Sequence, residues 1–96
     1  MNEYKVSNNE QQMHFEVHAE GETAFLEYRW YKDELALMHT IVPNKISERG
    51  IAFALAQHAL EWAGEHGKKV IVYCAFVADY LKKHPQYENL VDKSER

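Results

Sequence analysis

The stretch that decides the fold is Val42–Leu60, which reads VPNKISERGIAFALAQHAL. A β-like run, Leu35–Val42, stops at Pro43, and a polar turn then leads into a helix of small residues with Gly50 near its start. A strand that feeds a helix through such a turn leaves several backbone N–H groups free at the helix N-terminus. Those donors and the positive end of the helix dipole suit a phosphate or pyrophosphate. An ordinary connection, with a glycine for tight packing, explains the stretch equally well.

The helix in this stretch is the clearest element of the sequence and is predicted to run from about Glu48 to Glu65. Ser47 is its candidate N-cap, because a serine side chain can accept a hydrogen bond from a free N–H group. Gly64 and Gly67 bracket its end. Apolar residues recur at helical spacing, with alanines that favour the helix and allow close packing on a sheet: Ile51, Ala52, Leu55, Ala56, Ala59, Trp62 and Ala63.

Three β-like segments precede the helix. Apolar and polar residues alternate along the first two, which indicates half-buried strands, and the third is apolar on both faces, which is typical of a covered central strand. Short turns separate them at Glu20-Gly21-Glu22 and Lys32-Asp33-Glu34. We therefore expect an antiparallel meander of three strands, Met13–Ala19, Thr23–Tyr31 and Leu35–Val42.

A short β-branched run, Lys69–Tyr73, follows the helix. Because it completes a strand–helix–strand unit, it should lie parallel to Leu35–Val42 through a right-handed crossover. Cys74 comes next, followed by a short helix, Ala75–Lys83, which His84-Pro85 ends.

The expected fold class is therefore α+β, with the element order β-β-β-α-β-α in one mixed sheet. An antiparallel meander is joined to a parallel pair, beside which ligands of α/β sheets usually bind. A single domain spanning residues 1–96 is expected, with residues 1–12 and 91–96 loose.

Composition narrows the class of partner and the cell compartment. The net charge is −4, which argues against nucleic acid or an anionic membrane as the main partner, since clustered Lys and Arg usually bind both. One cysteine excludes an intramolecular disulfide and fits a reducing compartment. No signal peptide or transmembrane segment is evident, so a cytoplasmic protein is expected. No Cys/His cluster has metal-ligand spacing, so no metal is expected.

Two runs of the sequence resemble a known family. They are His39–Ala63, HTIVPNKISERGIAFALAQHALEWA, and Lys68–Tyr87, KKVIVYCAFVADYLKKHPQY. Together they are similar to the GNAT superfamily of acetyltransferases, and more narrowly to its minimal group of about a hundred residues. The hallmarks are a His-Thr strand end with Val-Pro, a Gly-Ile-Ala helix start and a Cys-x-Phe-Val-x-x-Tyr…His-Pro-x-Tyr tail. The likeness covers residues 13–90, and it implies a GNAT-like sheet whose parallel strands splay apart.

The resemblance implies acetyl-CoA as cofactor and an amine-bearing molecule as acceptor. In the family a loop written Gln/Arg-x-x-Gly-x-Gly/Ala binds the pyrophosphate, and it corresponds here to Ser47–Ala52, so Ser47 departs from the usual first residue. The pantetheine arm would insert between the splayed strands and pair with strand backbone. The implied cofactor-binding residues are Ile41, Val42, Lys45, Ser47, Arg49, Gly50, Ile51 and Ala52.

Three residues are candidates for catalysis. Cys74 ends the second parallel strand and precedes a helix, whose dipole favours a thiolate nucleophile; a buried structural cysteine is the alternative. His39, on the neighbouring strand, is a candidate general base or a residue that orients the thiol, unless it is a hydrogen-bonded structural histidine. The resemblance assigns Tyr80 to protonation of the departing CoA thiolate, and an aromatic core residue is the alternative.

The sequence thus predicts an acetyl-CoA-dependent N-acetyltransferase. The acetyl group passes either through Cys74 or directly from acetyl-CoA to the amine. A non-catalytic acyl-CoA-binding or protein-interaction module on the same fold is the second hypothesis, and an unrelated α+β dimerisation domain is the third.

Overall fold

The computed structural model describes residues 4–47 and 50–93, which form a five-stranded sheet with two α-helices packed against it. The strands lie in chain order across the sheet, with the first four antiparallel and the last parallel to its neighbour. This mixed sheet confirms the predicted α+β class. The strands are β1 Ser7–Asn9, β2 His14–Ala19, β3 Glu22–Tyr31, β4 Glu34–Ile41 and β5 Val70–Val72, and the helices are α1 Ile51–Glu65 and α2 Ala75–Lys83.

The two turns of the meander lie where the sequence places them. Ala19 pairs with Glu22, and the two residues between them both have positive φ, 52° at Glu20 and 79° at Gly21, as a type I′ turn requires. Lys32, in the second turn, also has a positive φ of 56°. These tight turns hold consecutive strands in register along the sheet.

Helix α1 begins at Ile51 rather than at Glu48. A 3-10 turn, Asn44–Ile46, comes first, and its Ile46 side chain is fully buried. Gly50 then reverses the chain with φ 76° and serves as the N-cap. The prediction that Ser47 caps the helix is wrong, because its hydroxyl donates to the carbonyl of Asn44 and ends the 3-10 turn instead. Glu48 and Arg49 lie outside the described residues.

The C-terminal end of α1 follows the prediction. Gly67 has φ 67°, the Lys68 N–H donates to the Ala63 carbonyl at 2.8 Å, and the Gly67 N–H donates to the Gly64 carbonyl at 3.3 Å. These bonds form a Schellman motif, which satisfies carbonyls that the helix itself leaves free.

The core lies between the helices and the sheet face that carries Phe15, Leu26 and Leu37. Helix α1 buries one side against this face, as its helical spacing predicted, and α2 packs against α1, β4 and β5. Both helices are followed by segments that pack back on the core. The buried residues of the two helices are Ile51, Leu55, Ala56, Ala59, Leu60, Ala63, Val77, Tyr80 and Leu81.

Strand β4 is covered on both faces only in its first half. Leu35, Ala36 and Leu37 are buried, whereas His39 and Ile41 are exposed. The prediction of a fully covered central strand is wrong for the second half, where the face that carries His39 and Ile41 is open to solvent and β5 no longer pairs with β4.

The expected loose ends are partly ordered. Residues 7–9 form β1, which pairs with β2, and Val91 makes a parallel bridge to Val70. The prediction of loose segments at 1–12 and 91–96 is therefore wrong for these residues, while residues 1–3 and 94–96 lie outside the described part. Neither described helix has the length and apolar composition needed to cross a bilayer.

Candidate functional site

The two parallel strands separate immediately after Leu37. Their pairing runs from Leu35 with Val70 to Leu37 with Val72. The N–H groups of Tyr73 and Cys74 then both donate to the Leu37 carbonyl, at 3.0 and 3.1 Å. Beyond this point, among the described residues, β4 continues along β3 only. The splayed pair that the family resemblance implies is therefore present, and it leaves a free strand edge beside Cys74.

A β-bulge in β4 sets which side chains reach this gap. Tyr28 pairs with Leu37, but its neighbour Glu27 pairs with His39, so Met38 is an extra residue in β4. Cross-strand partners share a face of the sheet, and neighbours along a strand alternate. Because a one-residue slip exchanges the two faces, the bulge directs Thr40, rather than His39, to the face that carries Leu37.

The Cys74 thiol lies on this inner face at the start of α2. Its residue is 5% exposed, and its Sγ lies 3.3 Å from Oγ1 of Thr40. Cys74 itself is the N-cap of α2, with extended backbone geometry, and its carbonyl accepts from the Ala78 N–H at 3.0 Å. The thiol thus lies beside a hydroxyl at the N-terminal end of a helix.

His39 lies on the opposite face of the sheet from Cys74. Its Nε2 is 2.9 Å from Oε1 of Glu27, its side chain is 55% exposed, and its ring makes an edge contact with Phe25. The same carboxylate also pairs with Arg29. The expectation that His39 orients the thiol is wrong, since the bulge gives that position to Thr40. His39 and Glu27 instead form a pair on the opposite face beside the open part of β4, with the histidine exposed and the carboxylate half-buried.

Tyr80 lies in an aromatic cluster between α1 and α2. Its ring stacks on His84 at 4.0 Å and contacts Phe53 and Tyr87 at centroid distances of 6.0 and 6.3 Å. Burial raises the pKa of the Tyr80 hydroxyl, and the negative charge of Glu61 raises it further. The hydroxyl therefore stays protonated at neutral pH, as an acid must, although none of these ring contacts is to Cys74.

The start of α1 presents backbone N–H groups that no hydrogen bond within the helix uses. The first bond within the helix runs from the Ala54 N–H to the Gly50 carbonyl at 3.1 Å, so the N–H groups of Ile51, Ala52 and Phe53 precede it. The first turn carries no acidic residue, and the space beside the Gly50 α-carbon is open. An anion can therefore approach these donors without meeting a carboxylate of the first turn.

The other residues expected to bind the cofactor lie around the same connection. Ile41 is exposed on the free length of β4, and Val42 follows it half-buried. Lys45 and Ser47 are both exposed, and the Ser47 hydroxyl donates to Asn44. Arg49 lies outside the described residues. A role for Arg49 in cofactor binding stays a prediction, as do the roles of the other residues.

A second polar cluster lies on the sheet face that carries His39. Glu16 is nearly buried, and its carboxylate receives contacts from Asn9 at 2.9 Å, from His14 at 3.3 Å and from His18 at 3.2 Å. In residues 4–47 and 50–93, no three His, Cys, Asp or Glu side chains are arranged to hold a metal ion. The cluster instead ties β1 to β2.

Sequence reasoning missed the partners of two site residues. Thr40 lies beside Cys74, and Glu27 lies beside His39. Strict alternation places His39 with Leu35 and Leu37, and nothing in the local composition marks Met38 as a bulge. The missing signal is pairing information, because a bulge is defined by two strands together.

Comparison with known proteins agrees with this geometry. Residues 14–90 match the family model described as GCN5-related N-acetyl-transferase. The chain is 32% identical over 84 residues to the protein NATD1 of Mus musculus, covering 84% of this chain and 76% of that one, and 31% identical to the human NATD1, covering 84% and 74%.

A solved structure shows the same fold. The NMR structure of a GCN5-like protein from Staphylococcus aureus superposes with a TM-score of 0.71, covering 100% of this chain and 95% of that one at 24% identity. The family match, the relatives and the splayed sheet lead to one conclusion: this chain belongs to the GCN5-related N-acetyltransferase family.

Proposed function

We propose that this chain is an acetyl-CoA-dependent N-acetyltransferase that transfers an acetyl group to an amine. The observation that carries the proposal is the gap between β4 and β5, where a free strand edge, the Cys74 thiol and the open start of α1 lie at one end of the parallel pair. The acidic chain favours a basic acceptor by electrostatic steering. A cytoplasmic location is part of the proposal, because a reducing compartment keeps a lone cysteine as a thiol.

The residues around the gap fit coenzyme A. The free edge of β4 at Ile41 and Val42 can pair with the amides of a pantetheine arm, and the N–H groups of Ile51 and Ala52 suit a pyrophosphate. Lys45, and Arg49 from the sequence, can add positive charge nearby. Bound acetyl-CoA supplies an activated acetyl thioester.

Cys74 is the proposed nucleophile. Its sulfur would attack the acetyl carbonyl carbon of bound acetyl-CoA and form a thioester on Sγ. The bond from that carbon to the CoA sulfur would break, and the proton given up by the Cys74 thiol would pass to the CoA sulfur. The acceptor amine then takes the acetyl group from Sγ and restores the Cys74 thiol. Thr40 donates a hydrogen bond to the sulfur whenever it is a thiolate, since a thiolate can only accept.

The alternative route is direct attack by the amine, with Cys74 only lining the site. In that route His39, held by Glu27, takes the proton that the amine loses. Tyr80 returns a proton to the departing sulfur. His39 and the thiol lie on opposite faces of the sheet, so the direct route uses both faces and the covalent route the inner one.

Calorimetry and intact-mass analysis test the proposal together. We expect the protein to bind acetyl-CoA and CoA, and the mass to rise by one acetyl group after incubation with acetyl-CoA. Cys74→Ser should bind equally well without gaining the acetyl mass. Absence of binding at high micromolar protein would refute the proposed function. An unmodified Cys74, with Cys74→Ser still acetylating amines, would refute the covalent route alone.

The burial of Cys74 favours one rival function, a non-catalytic acyl-CoA-binding module. Cys74 is 5% exposed, and the polar group beside its thiol is a hydroxyl rather than a base. The two functions differ in turnover: tight CoA binding with CoA release at background across a panel of amines would establish the rival.

A further inference from the structure

Phe53 is an exposed aromatic residue at the start of α1. It is 48% exposed, although Ile51 and Leu55, which lie two residues before and after it, are fully buried. Leaving a phenylalanine ring in water forfeits the free energy that burial would supply. The position is therefore open to a ligand that covers the ring.

The ring is held in a fixed orientation by α2. It makes an edge contact with Phe76 at a centroid distance of 5.2 Å and 62° between the planes, and a tilted contact with Tyr80 at 6.0 Å. Edge contacts of this kind are favourable, and the 48% of the Phe53 surface that stays exposed can meet a second, stacked partner. The Phe53–Phe76 pair is thus a preformed aromatic surface.

Phe53 lies in the first turn of α1 and Phe76 in the first turn of α2, and these are the two helix starts that border the gap. Phe53 lies three residues after Gly50, and Phe76 lies two residues after Cys74. The first turn of each helix lacks acidic residues, so no carboxylate of these turns repels a phosphate-bearing ligand. A flat base attached to a phosphate at Gly50 would lie within reach of the exposed ring.

We propose that the Phe53–Phe76 pair is a stacking site for the adenine base of coenzyme A. This inference rests on the proposed function, since it takes the same cofactor. Every nucleobase has a π-face, and stacking on an aromatic side chain contributes enough to change affinity by roughly tenfold per base or more. The pair therefore selects coenzyme A over acyl carriers that lack the nucleotide.

Calorimetry with two ligands separates this inference from the proposed function. The ligands are CoA and 4′-phosphopantetheine, which is CoA without its 3′-phosphoadenylate part. Phe53→Leu should weaken CoA binding about tenfold and leave 4′-phosphopantetheine binding unchanged, whereas Phe53→Trp should restore CoA binding. Tyr31→Leu is the matched control. It removes an exposed aromatic ring at the C-terminal end of β3, which pairs with the start of β4 away from the gap, and it should change neither affinity.

NMR gives a direct readout of stacking. The adenine protons of CoA should shift upfield on binding to the wild-type protein, and this shift should vanish with Phe53→Leu. Equal loss of both ligands, or unchanged CoA binding, would overturn the adenine assignment while the proposed function stands. If the wild-type protein binds neither ligand, the proposed function fails and the inference fails with it.

Discussion

Among single residues, the Thr40–Cys74 pair carries the most chemistry. The hydroxyl and the thiol lie 3.3 Å apart on the inner face of the sheet, and Cys74 also starts α2. A net hydrogen bond is worth about 1 kcal/mol, and more when one partner is charged. This bond therefore affects the reactivity of the thiol. A Thr40→Val substitution removes the bond with little change in side-chain volume.

Thr40→Val should slow the reaction of Cys74 with iodoacetamide at fixed pH by about fivefold, because the thiolate loses a donor worth about 1 kcal/mol. Mass spectrometry over time measures the rate. Thr23→Val, which alters a threonine bonded to His18 on the other face, should leave it unchanged. An unchanged rate for Thr40→Val would show that the hydroxyl does not stabilise the thiolate.

Among the elements, α1 depends on the turn that precedes it. Gly50 has φ 76°, a backbone angle that residues other than glycine adopt at a cost of roughly 1–2 kcal/mol. Among the residues that the structure describes, none comes within 4 Å of a β-carbon built there, so the cost is conformational. Gly64, inside the same helix, has no such constraint, and its added carbon would make an ordinary contact with Leu90 at 3.7 Å.

Gly50→Ala should therefore lower the free energy of unfolding by about 1 kcal/mol, and Gly64→Ala should raise it by up to about 1 kcal/mol because alanine favours the helix. Urea denaturation measures both. Equal effects of the two substitutions would contradict the left-handed geometry at Gly50.

The bulge at Met38 is the element that sequence reasoning could not supply. Alternation, turn residues and the Gly67 helix end predicted the meander, the long helix and the parallel strand in their places. Alternation groups His39 with Leu35 and Leu37, but the bulge exchanges the faces, so Thr40 rather than His39 lies beside the thiol. Whether a segment forms a strand depends on its local sequence pattern. The face of the sheet to which each side chain points depends on how the strand pairs with its partner.

At the scale of the molecule, one hydrogen bond links the C-terminal segment to α1. The Tyr87 hydroxyl donates to Oε2 of Glu61 at 2.9 Å. Burial raises the pKa of Tyr87 from 10.0 to about 12, with the hydrogen bond and charge of Glu61 adding to the shift. The folded protein therefore holds this proton more tightly than the unfolded chain does.

This stabilisation is fully present below pH 10, the unfolded value, and is lost as the pH rises through about 12. Thermal unfolding at increasing pH should show wild-type stability falling across that window, and the fall should be smaller for Tyr87→Phe. Tyr73→Phe, at an exposed position, should behave like the wild type. Parallel pH curves for the wild type and Tyr87→Phe would refute this role for Tyr87.

The sequence by itself determined the order of the elements from β2 onward, the two hairpin turns, the helix end at Gly67 and the family likeness around Gly50 and Cys74, because each depends on residues close together in the chain. Tertiary structure decided the start of α1 at Ile51, where a buried Ile46 fixes the preceding turn. It also decided that Thr40 reaches the thiol and that Phe53 meets Phe76. Those contacts join residues far apart in the chain, and only the pairing of strands and helices brings them together.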